Sequence, residues 1–155
     1  MNRLVMASTD LITLAVNGTL MRGLELNSNL LALGAEFECE SHTSPHYFLW
    51  SIDDRYPAMQ RADKGGKSIA LEIWRVPCVS FSQLLLGEPP GLVIGRITLV
   101  DGRSVLGVLG EAYFCIGQRD ITAYGGWRAY MQSVRTPSTH IKSLLPLDHS
   151  NLSSP

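Results

Sequence analysis

Two apolar segments joined by an Asp-Gly pair constrain the fold of this chain more than any other feature. Residues 93–100 and 103–109 flank Asp101 and Gly102, a dipeptide favoured in two-residue hairpin turns because both positions tolerate a positive φ. We therefore expect an antiparallel pair of strands here. Other short apolar runs also have strand character and helical patterns are few. The sequence thus predicts an α+β fold with a small, curled or closed mixed β-barrel and few flanking helices.

The other elements are predicted from hydrophobic periodicity and from the positions of glycine and proline. Apolar runs that alternate or are continuous predict four more strands, at residues 11–16, 35–42, 47–52 and 68–76. Helical spacing predicts helices at residues 25–33, at 80–87 behind a capping box of Ser80 and Gln83, and at the end of 119–134. In that last helix Trp127, Tyr130 and Met131 form an apolar stripe that we expect to be core.

The length of 155 residues fits a single domain. We expect this domain to span residues 1–135 and to include a polar loop at 53–66. Residues 136–155, which are rich in serine, proline and isolated leucines, are expected to form a loosely docked tail.

Charge and composition exclude several classes of partner. The chain has 13 basic and 14 acidic residues, so it lacks the basic footprint of a nucleic-acid-binding protein. No apolar run reaches 18 residues and the N-terminus makes a poor signal peptide, so we expect no membrane association and a cytoplasmic location. The three cysteines are scattered and the four histidines lack ligand spacing, so we expect free thiols in a reducing compartment, no metal and no cofactor.

Glu72 is the main candidate for chemistry because it is the only charged residue in the strand segment 68–74. Both faces of this strand are apolar, so the carboxylate is expected to be poorly solvated whichever way it points. Burial disfavours the ionised form and raises the pKa, which suits a general acid–base near neutral pH. The alternative is an edge position, where Glu72 reaches water or pairs with an arginine.

Two further features are candidates for substrate binding. Glu111 is also a lone charge at the end of an apolar run, and it is expected either to share a cavity with Glu72 or to lie at the rim of the sheet. The loop from Asn17 to Gly23 joins a buried strand to a helix, where exposed amides suit an anion such as a carboxylate, with Arg22 adding a charged hydrogen bond. The alternative for this loop is a turn required only by geometry.

Several motifs resemble those of a known superfamily. LAVNGTLMRG at 14–23 resembles the Y-G-S/T-L loop of the γ-glutamyl cyclotransferase-like fold, and SIALEIWRV at 68–76 resembles its G-E-V-Y strand. The C-terminal domain of allophanate hydrolases, itself cyclotransferase-like, is similar to nearly the whole chain up to about Ser133. This second resemblance rests on NGTLMRGLELNSNLL and on DITAYGGWRAY at 120–130.

The resemblance implies a small α+β barrel with a cavity at its mouth. It places the catalytic glutamate at Glu72 and the loop that holds the substrate carboxylate at Asn17, Gly18, Thr19, Leu20 and Met21. For the allophanate hydrolase domain it implies loss of carbon dioxide from N-carboxycarbamate after allophanate is deaminated, with an oligomerisation role in some members. Asn17 replaces the tyrosine of the cyclotransferase loop, and Thr19 stands where the hydrolase domain has a histidine.

We therefore expect a freestanding relative of this domain that acts in amide or urea nitrogen metabolism. Its substrate would be a small carboxylated amide or carbamate, with Glu72 transferring the proton and with residues 17–22 and Glu111 binding the substrate. One alternative is a cyclotransferase that releases 5-oxoproline. Another is a non-catalytic assembly module, either a homo-oligomer or a partner of an amidase.

Overall fold

The computed structural model describes residues 10–136, which form two β-sheets and four short α-helices. The strands of this part of the chain are β1 (Leu11–Val16), β2 (Glu36–His42), β3 (Tyr47–Ile52), β4 (Tyr56–Arg61), β5 (Ala70–Pro77), β6 (Leu92–Thr98), β7 (Ser104–Gly110) and β8 (Arg119–Asp120). The helices are α1 (Asn27–Ala32), α2 (Phe81–Gly87), α3 (Ala112–Cys115) and α4 (Trp127–Arg135), with two 3-10 turns at Cys78–Ser80 and Thr122–Tyr124.

The two sheets are open, so the prediction of a closed barrel is wrong although the α+β class is correct. The larger sheet has the order β2-β5-β1-β7-β6, and the smaller one has the order β4-β3-β8. In the larger sheet β1 runs antiparallel to β5 and parallel to β7. A barrel requires one continuous backbone ladder. Here side chains help to join the sheets: the Tyr47 hydroxyl of β3 accepts a hydrogen bond from the Thr98 amide of β6 at 2.8 Å.

Most of the predicted elements are present with small shifts at their ends. The Asp101-Gly102 turn joins β6 to β7, whose ladder runs from Thr98↔Ser104 to Leu92↔Gly110. The predicted loop at 53–66 is wrong in part because it contains β4, whose strand pattern is interrupted by Pro57. Asp53 and Asp54 make the β3–β4 turn with φ of 50° and 54°, a backbone region that aspartate tolerates better than most residues.

Each helix buries only one or two side chains. α2 follows Ser80, but the Ser80 side chain makes no capping hydrogen bond, so the predicted capping box does not form. In α4 the predicted stripe is confirmed, since Trp127 and Tyr130 are buried and Met131 packs against the same core. β5 lies between β2 and β1 in the larger sheet, and this places Glu72 in the interior of a sheet rather than at its edge.

The cysteines of residues 10–136 are free thiols, and burial raises the pKa of Cys115 to about 11. No helix within residues 10–136 has the length and apolar character needed to cross a membrane. The predicted tail lies outside the described residues except for Thr136.

Candidate functional site

Glu72 lies in the middle of β5 with a neighbouring strand on each side. Its register partners are Val16 on β1 and Glu40 on β2. Paired residues in a sheet point to the same face, so the two carboxylates share the face that α4 covers. Glu72 is only 2% exposed, whereas the Glu40 side chain is 75% exposed. The sequence-based expectation of a poorly solvated Glu72 is therefore met by the structure.

Four N–H groups from three parts of the chain donate to the Glu72 carboxylate. Oε2 accepts from the backbone amide of Arg22 at 2.9 Å and from the Trp74 indole at 3.0 Å. Oε1 accepts from Arg22 Nε and from Arg128 Nη2, both at 3.1 Å. A carboxylate has about four lone-pair sites, so these donors fill the hydrogen-bonding capacity of Glu72.

These hydrogen bonds reverse the pKa shift that the sequence predicts. Burial acts to raise the pKa of Glu72, but the hydrogen bonds from the Arg22 amide, Trp74 and the side chains of Arg22 and Arg128 outweigh it and hold the pKa below its ordinary value. Each donor favours the charged form. The expected rise of the pKa toward neutrality is therefore wrong, and Glu72 is an anion at physiological pH.

The cleft above Glu72 is large enough for a small molecule, with a volume of about 560 Å³. β2 and β5 form one wall, and the 122–126 turn and α4 form the other. The residues that line it are Met21, Glu40, Ser41, His42, Ser68, Ala70, Leu71, Glu72, Tyr124, Gly125, Gly126, Trp127, Arg128, Ala129 and Gln132. Its lining therefore combines apolar residues with a small number of charged groups, as in binding pockets.

Two arginines supply the positive charge of this site. Arg22 contacts both Glu72 and Glu40, with its Nη2 atom 2.6 Å from Glu40 Oε1, and its guanidinium lies 3.5 Å from the centre of the Phe37 ring. Arg128 donates to Glu72 and to the Arg22 carbonyl. Both arginine side chains are 43% exposed. Within residues 10–136, the hydrogen bonds of the two guanidiniums use Nε and Nη2 of Arg22 and Nη2 of Arg128. Arg128 lines the cleft, and Arg22 borders it through its contacts with Glu72 and Glu40.

A second cluster fixes the position of α4. The Tyr130 hydroxyl donates to Asp54 and accepts from Arg119 Nη1 at 3.1 Å, while Ser51 Oγ donates to the same Asp54 oxygen at 2.7 Å. The hydrogen bonds from Ser51 and Tyr130 lower the pKa of Asp54. This cluster ties α4 to the β3–β4 turn and so holds Arg128 over the cleft.

The structure divides the predicted anion-binding loop between two cavities. Met21 lines the Glu72 cleft and Arg22 contacts Glu72 directly. Asn17, Gly18, Thr19 and Leu20 instead line a separate cavity of about 20 Å³, next to Tyr56 and Glu88. Asn17 is buried there, and its Nδ2 atom donates to the Val108 carbonyl at 3.0 Å. This loop therefore reaches the cleft only through its second half.

Glu111 and His42 are placed differently from what the sequence suggests. Glu111 is exposed just after β7, and β1 separates β7 from β5, so Glu111 does not line the Glu72 cleft. His42, one of the four histidines whose spacing predicts no metal site, lines the cleft. The signal that finds it is strand pairing, since His42 pairs with Ala70 two residues from Glu72. In residues 10–136 no three metal-ligating side chains converge.

Residues 12–132 match the family model described as "Allophanate hydrolase C-terminal domain". The chain belongs to this family. Urea amidolyase from Saccharomyces cerevisiae is 31% identical to it over 140 residues, which cover 86% of this chain and 8% of the yeast protein. This allophanate hydrolase C-terminal domain protein thus spans less than a tenth of the length of yeast urea amidolyase.

Several solved structures have a similar fold. A uropathogenic E. coli-specific protein is 53% identical, with a TM-score of 0.77 over 79% of this chain and 96% of that one. The Kluyveromyces lactis allophanate hydrolase is 29% identical, with a TM-score of 0.76 over 81% of this chain and 22% of the enzyme. An aig2-like protein from Mus musculus, 17% identical with a TM-score of 0.54 over 72% of this chain and 86% of that one, shares the fold. The resemblance found in the sequence is confirmed.

Proposed function

We propose that this allophanate hydrolase C-terminal domain protein binds a small carboxylated carbamate or amide in the Glu72 cleft and promotes its breakdown. The first candidate substrate is N-carboxycarbamate, the product of allophanate deamination. The observation that carries the proposal is the pair of half-exposed arginines, Arg22 and Arg128, fixed on the buried Glu72 carboxylate at the base of a cleft of about 560 Å³. Family membership supports the choice of substrate class.

The arginines are suited to hold the carboxylates of the substrate. A guanidinium presents several N–H donors in a fixed plane and binds carboxylates through paired hydrogen bonds. Glu72 holds both guanidiniums in place, so little freedom of the side chains is lost when a ligand binds. The site thus has its positive charge arranged before the substrate arrives.

In the proposed function Glu72 is an ionised group with two roles. It orients the arginines, and it accepts a hydrogen bond from the N–H of the substrate. Because its four lone-pair sites are already filled, one must be released first. A substrate carboxylate that draws Arg128 toward itself would release one site on Oε1. Glu72 then faces the nitrogen of the substrate without having to give up a proton.

Proton NMR of the purified protein tests the proposal. The panel contains allophanate with a separately supplied amidase, and γ-glutamyl amino acids to test the cyclotransferase alternative. We expect faster carbamate breakdown that Glu72→Gln abolishes and that Glu38→Gln, an exposed glutamate on β2 outside the cleft, retains. Folding of both variants is checked by circular dichroism. Full turnover by a folded Glu72→Gln variant, or 5-oxoproline as the only product, would contradict the proposal.

A second candidate function is that of a module that associates with an amidase. It is favoured by one observation: the chain corresponds to 22% of the K. lactis allophanate hydrolase and 8% of yeast urea amidolyase. In such large proteins the matching domain is covalently linked to others. Sedimentation of the protein with and without the amidase tests this candidate. A complex that forms and functions equally well with Glu72→Ala would favour the module over the enzyme.

A further inference from the structure

We propose that His42 donates the proton to the nitrogen of the substrate as carbon dioxide leaves. This inference rests on the proposed function and adds the group that the function requires. Glu72 cannot serve as the donor, because its hydrogen bonds keep it ionised. A second proton-carrying side chain must therefore face the same cleft.

The geometry of the sheet places His42 beside Glu72. His42 ends β2 and pairs with Ala70 of β5, while Glu40 pairs with Glu72. Residues two apart on a strand point to the same face, so His42, Glu40 and Glu72 all face the cleft, and His42 is among its lining residues. The imidazole is exposed and has no hydrogen-bond partner within residues 10–136, so both ring nitrogens are available to a ligand.

The charged and titratable groups that face this histidine come from both walls of the cleft. Glu40 on β2 and Glu72 on β5 are the carboxylates of the cleft, and Arg128 of α4 and Tyr124 face them from the other wall. Both arginines already contact Glu72, and Arg22 also binds Glu40. Histidine is the side chain that gains and loses a proton in the physiological pH range. It can therefore donate once per turnover and recover the proton from water.

The step balances without any other reactant. In N-carboxycarbamate, −O2C–NH–CO2−, one C–N bond breaks and carbon dioxide departs, leaving the electron pair on nitrogen. The nitrogen takes a proton from the His42 imidazolium and becomes the NH2 of carbamate, H2N–CO2−. Arg22 and Arg128 hold the carboxylate that stays. The neutral imidazole then regains its proton from solvent.

The test uses the whole protein with ¹³C-labelled allophanate and an excess of a separate amidase, and follows release of labelled carbon dioxide by membrane-inlet mass spectrometry. General acid catalysis contributes about 10²–10⁴-fold, so His42→Gln is expected to lower kcat about 100-fold or more. The fall in kcat at high pH that reports an imidazolium donor should also disappear in this variant. His46→Gln is the matched control, because His46 is an exposed histidine outside the cleft.

Binding of malonate separates a chemical role from a structural one. Malonate carries a CH2 in place of the substrate NH and cannot lose carbon dioxide under these conditions. We expect calorimetry to give the same malonate Kd within about threefold for His42→Gln and wild type, since the arginines that bind it are intact. If the wild type turns over the substrate and His42→Gln has the same kcat and pH profile, the role of His42 is overturned but the proposed function is not. A wild type without turnover would overturn the proposed function and this inference with it.

Discussion

Nη2 of Arg128 lies 3.1 Å from Oε1 of Glu72, so an arginine on α4 neutralises a carboxylate 56 residues earlier in the chain. Helix α4 reaches this position because Trp127 and Tyr130 are buried in the core on either side of Arg128. The contact fixes a guanidinium beside an ionised carboxylate in the cleft.

Arg128→Gln is expected to weaken malonate binding about 10- to 100-fold, since a hydrogen bond to a charged group contributes about 1.5–3 kcal/mol. It is also expected to raise the pKa of Glu72, because Arg128 is one of the donors that lower it. Calorimetry measures the first effect and ¹³C NMR titration of the labelled carboxyl measures the second.

The control for this prediction is Arg135→Gln on the same helix. Among residues 10–136, Arg135 approaches only Glu25, at 4.0 Å and with both side chains exposed, and such pairs contribute little. Malonate binding should remain within about twofold of the wild type in this variant. Equal losses in the two variants would mean that the general charge of α4, and not the contact of Arg128, attracts the ligand.

The stability of the protein should fall in acid partly through Glu72. Its folded-state pKa lies below the ordinary value of 4.5, so the unfolded chain binds the proton more tightly. The stabilisation of the folded state by ionised Glu72 is complete at pH values above 4.5. It is lost as the pH falls from there toward the folded-state pKa. Urea denaturation at a series of pH values should therefore show the free-energy difference between wild type and Glu72→Gln shrinking in acid. A difference independent of pH would show that the pKa is not lowered.

Asn17 is expected to matter for stability and not for binding. It is buried and donates to the Val108 carbonyl, and it lines a different cavity from Glu72. Asn17→Ala leaves that carbonyl unpaired and should cost about 1–3 kcal/mol of unfolding free energy. Malonate should bind to the folded variant as it does to the wild type. A large rise in Kd with unchanged stability would restore Asn17 to the substrate loop that the sequence predicts.

Two glycines with similar backbone angles provide a paired test of the packing between β3 and the 63–68 loop. Gly66 has φ of +83°, and a Cβ there would lie 2.7 Å from the Tyr47 amide nitrogen, whereas Gly102 has φ of +86° with open space around it. Gly102→Ala should cost about 1 kcal/mol from the backbone angle, and Gly66→Ala should cost clearly more because it adds a clash. Thermal unfolding compares them. Equal losses would mean that the loop moves away freely.

Features encoded within a few residues were predictable from the sequence. The Asp101-Gly102 turn fixes the β6–β7 hairpin, and the isolated charge of Glu72 marks a buried carboxylate. β4 was missed because Pro57 and the short turn before it resemble a loop. Its hydrogen bonds are made with β3, so the neighbouring strand determines the structure of this segment more than its own pattern does.

The candidate site was predicted only in part because its charges come from distant segments. The sequence identifies a lone carboxylate but cannot count its donors, and the direction of its pKa shift depends on that count. Arg128 reaches Glu72 only after α4 packs on the sheet. His42 approaches it only because β2 pairs with β5 instead of with its neighbour in the chain. Neither contact can be predicted from the residues that are near Arg128 or His42 in the sequence.

The donors to Glu72 come from three segments of the chain, the loop with Arg22, β5 and α4. This affects how the protein folds during synthesis. The loop with Arg22 and strand β5 are synthesised well before α4, and domains generally fold as units during or after synthesis. Until α4 arrives, a desolvated carboxylate lacks one of its charged partners, which is unfavourable. A nascent chain shorter than residue 128 should therefore remain loosely packed around Glu72. Helix α4 covers Glu72 and completes the candidate site in the same event, so a chain that ends before Arg128 should lack that site.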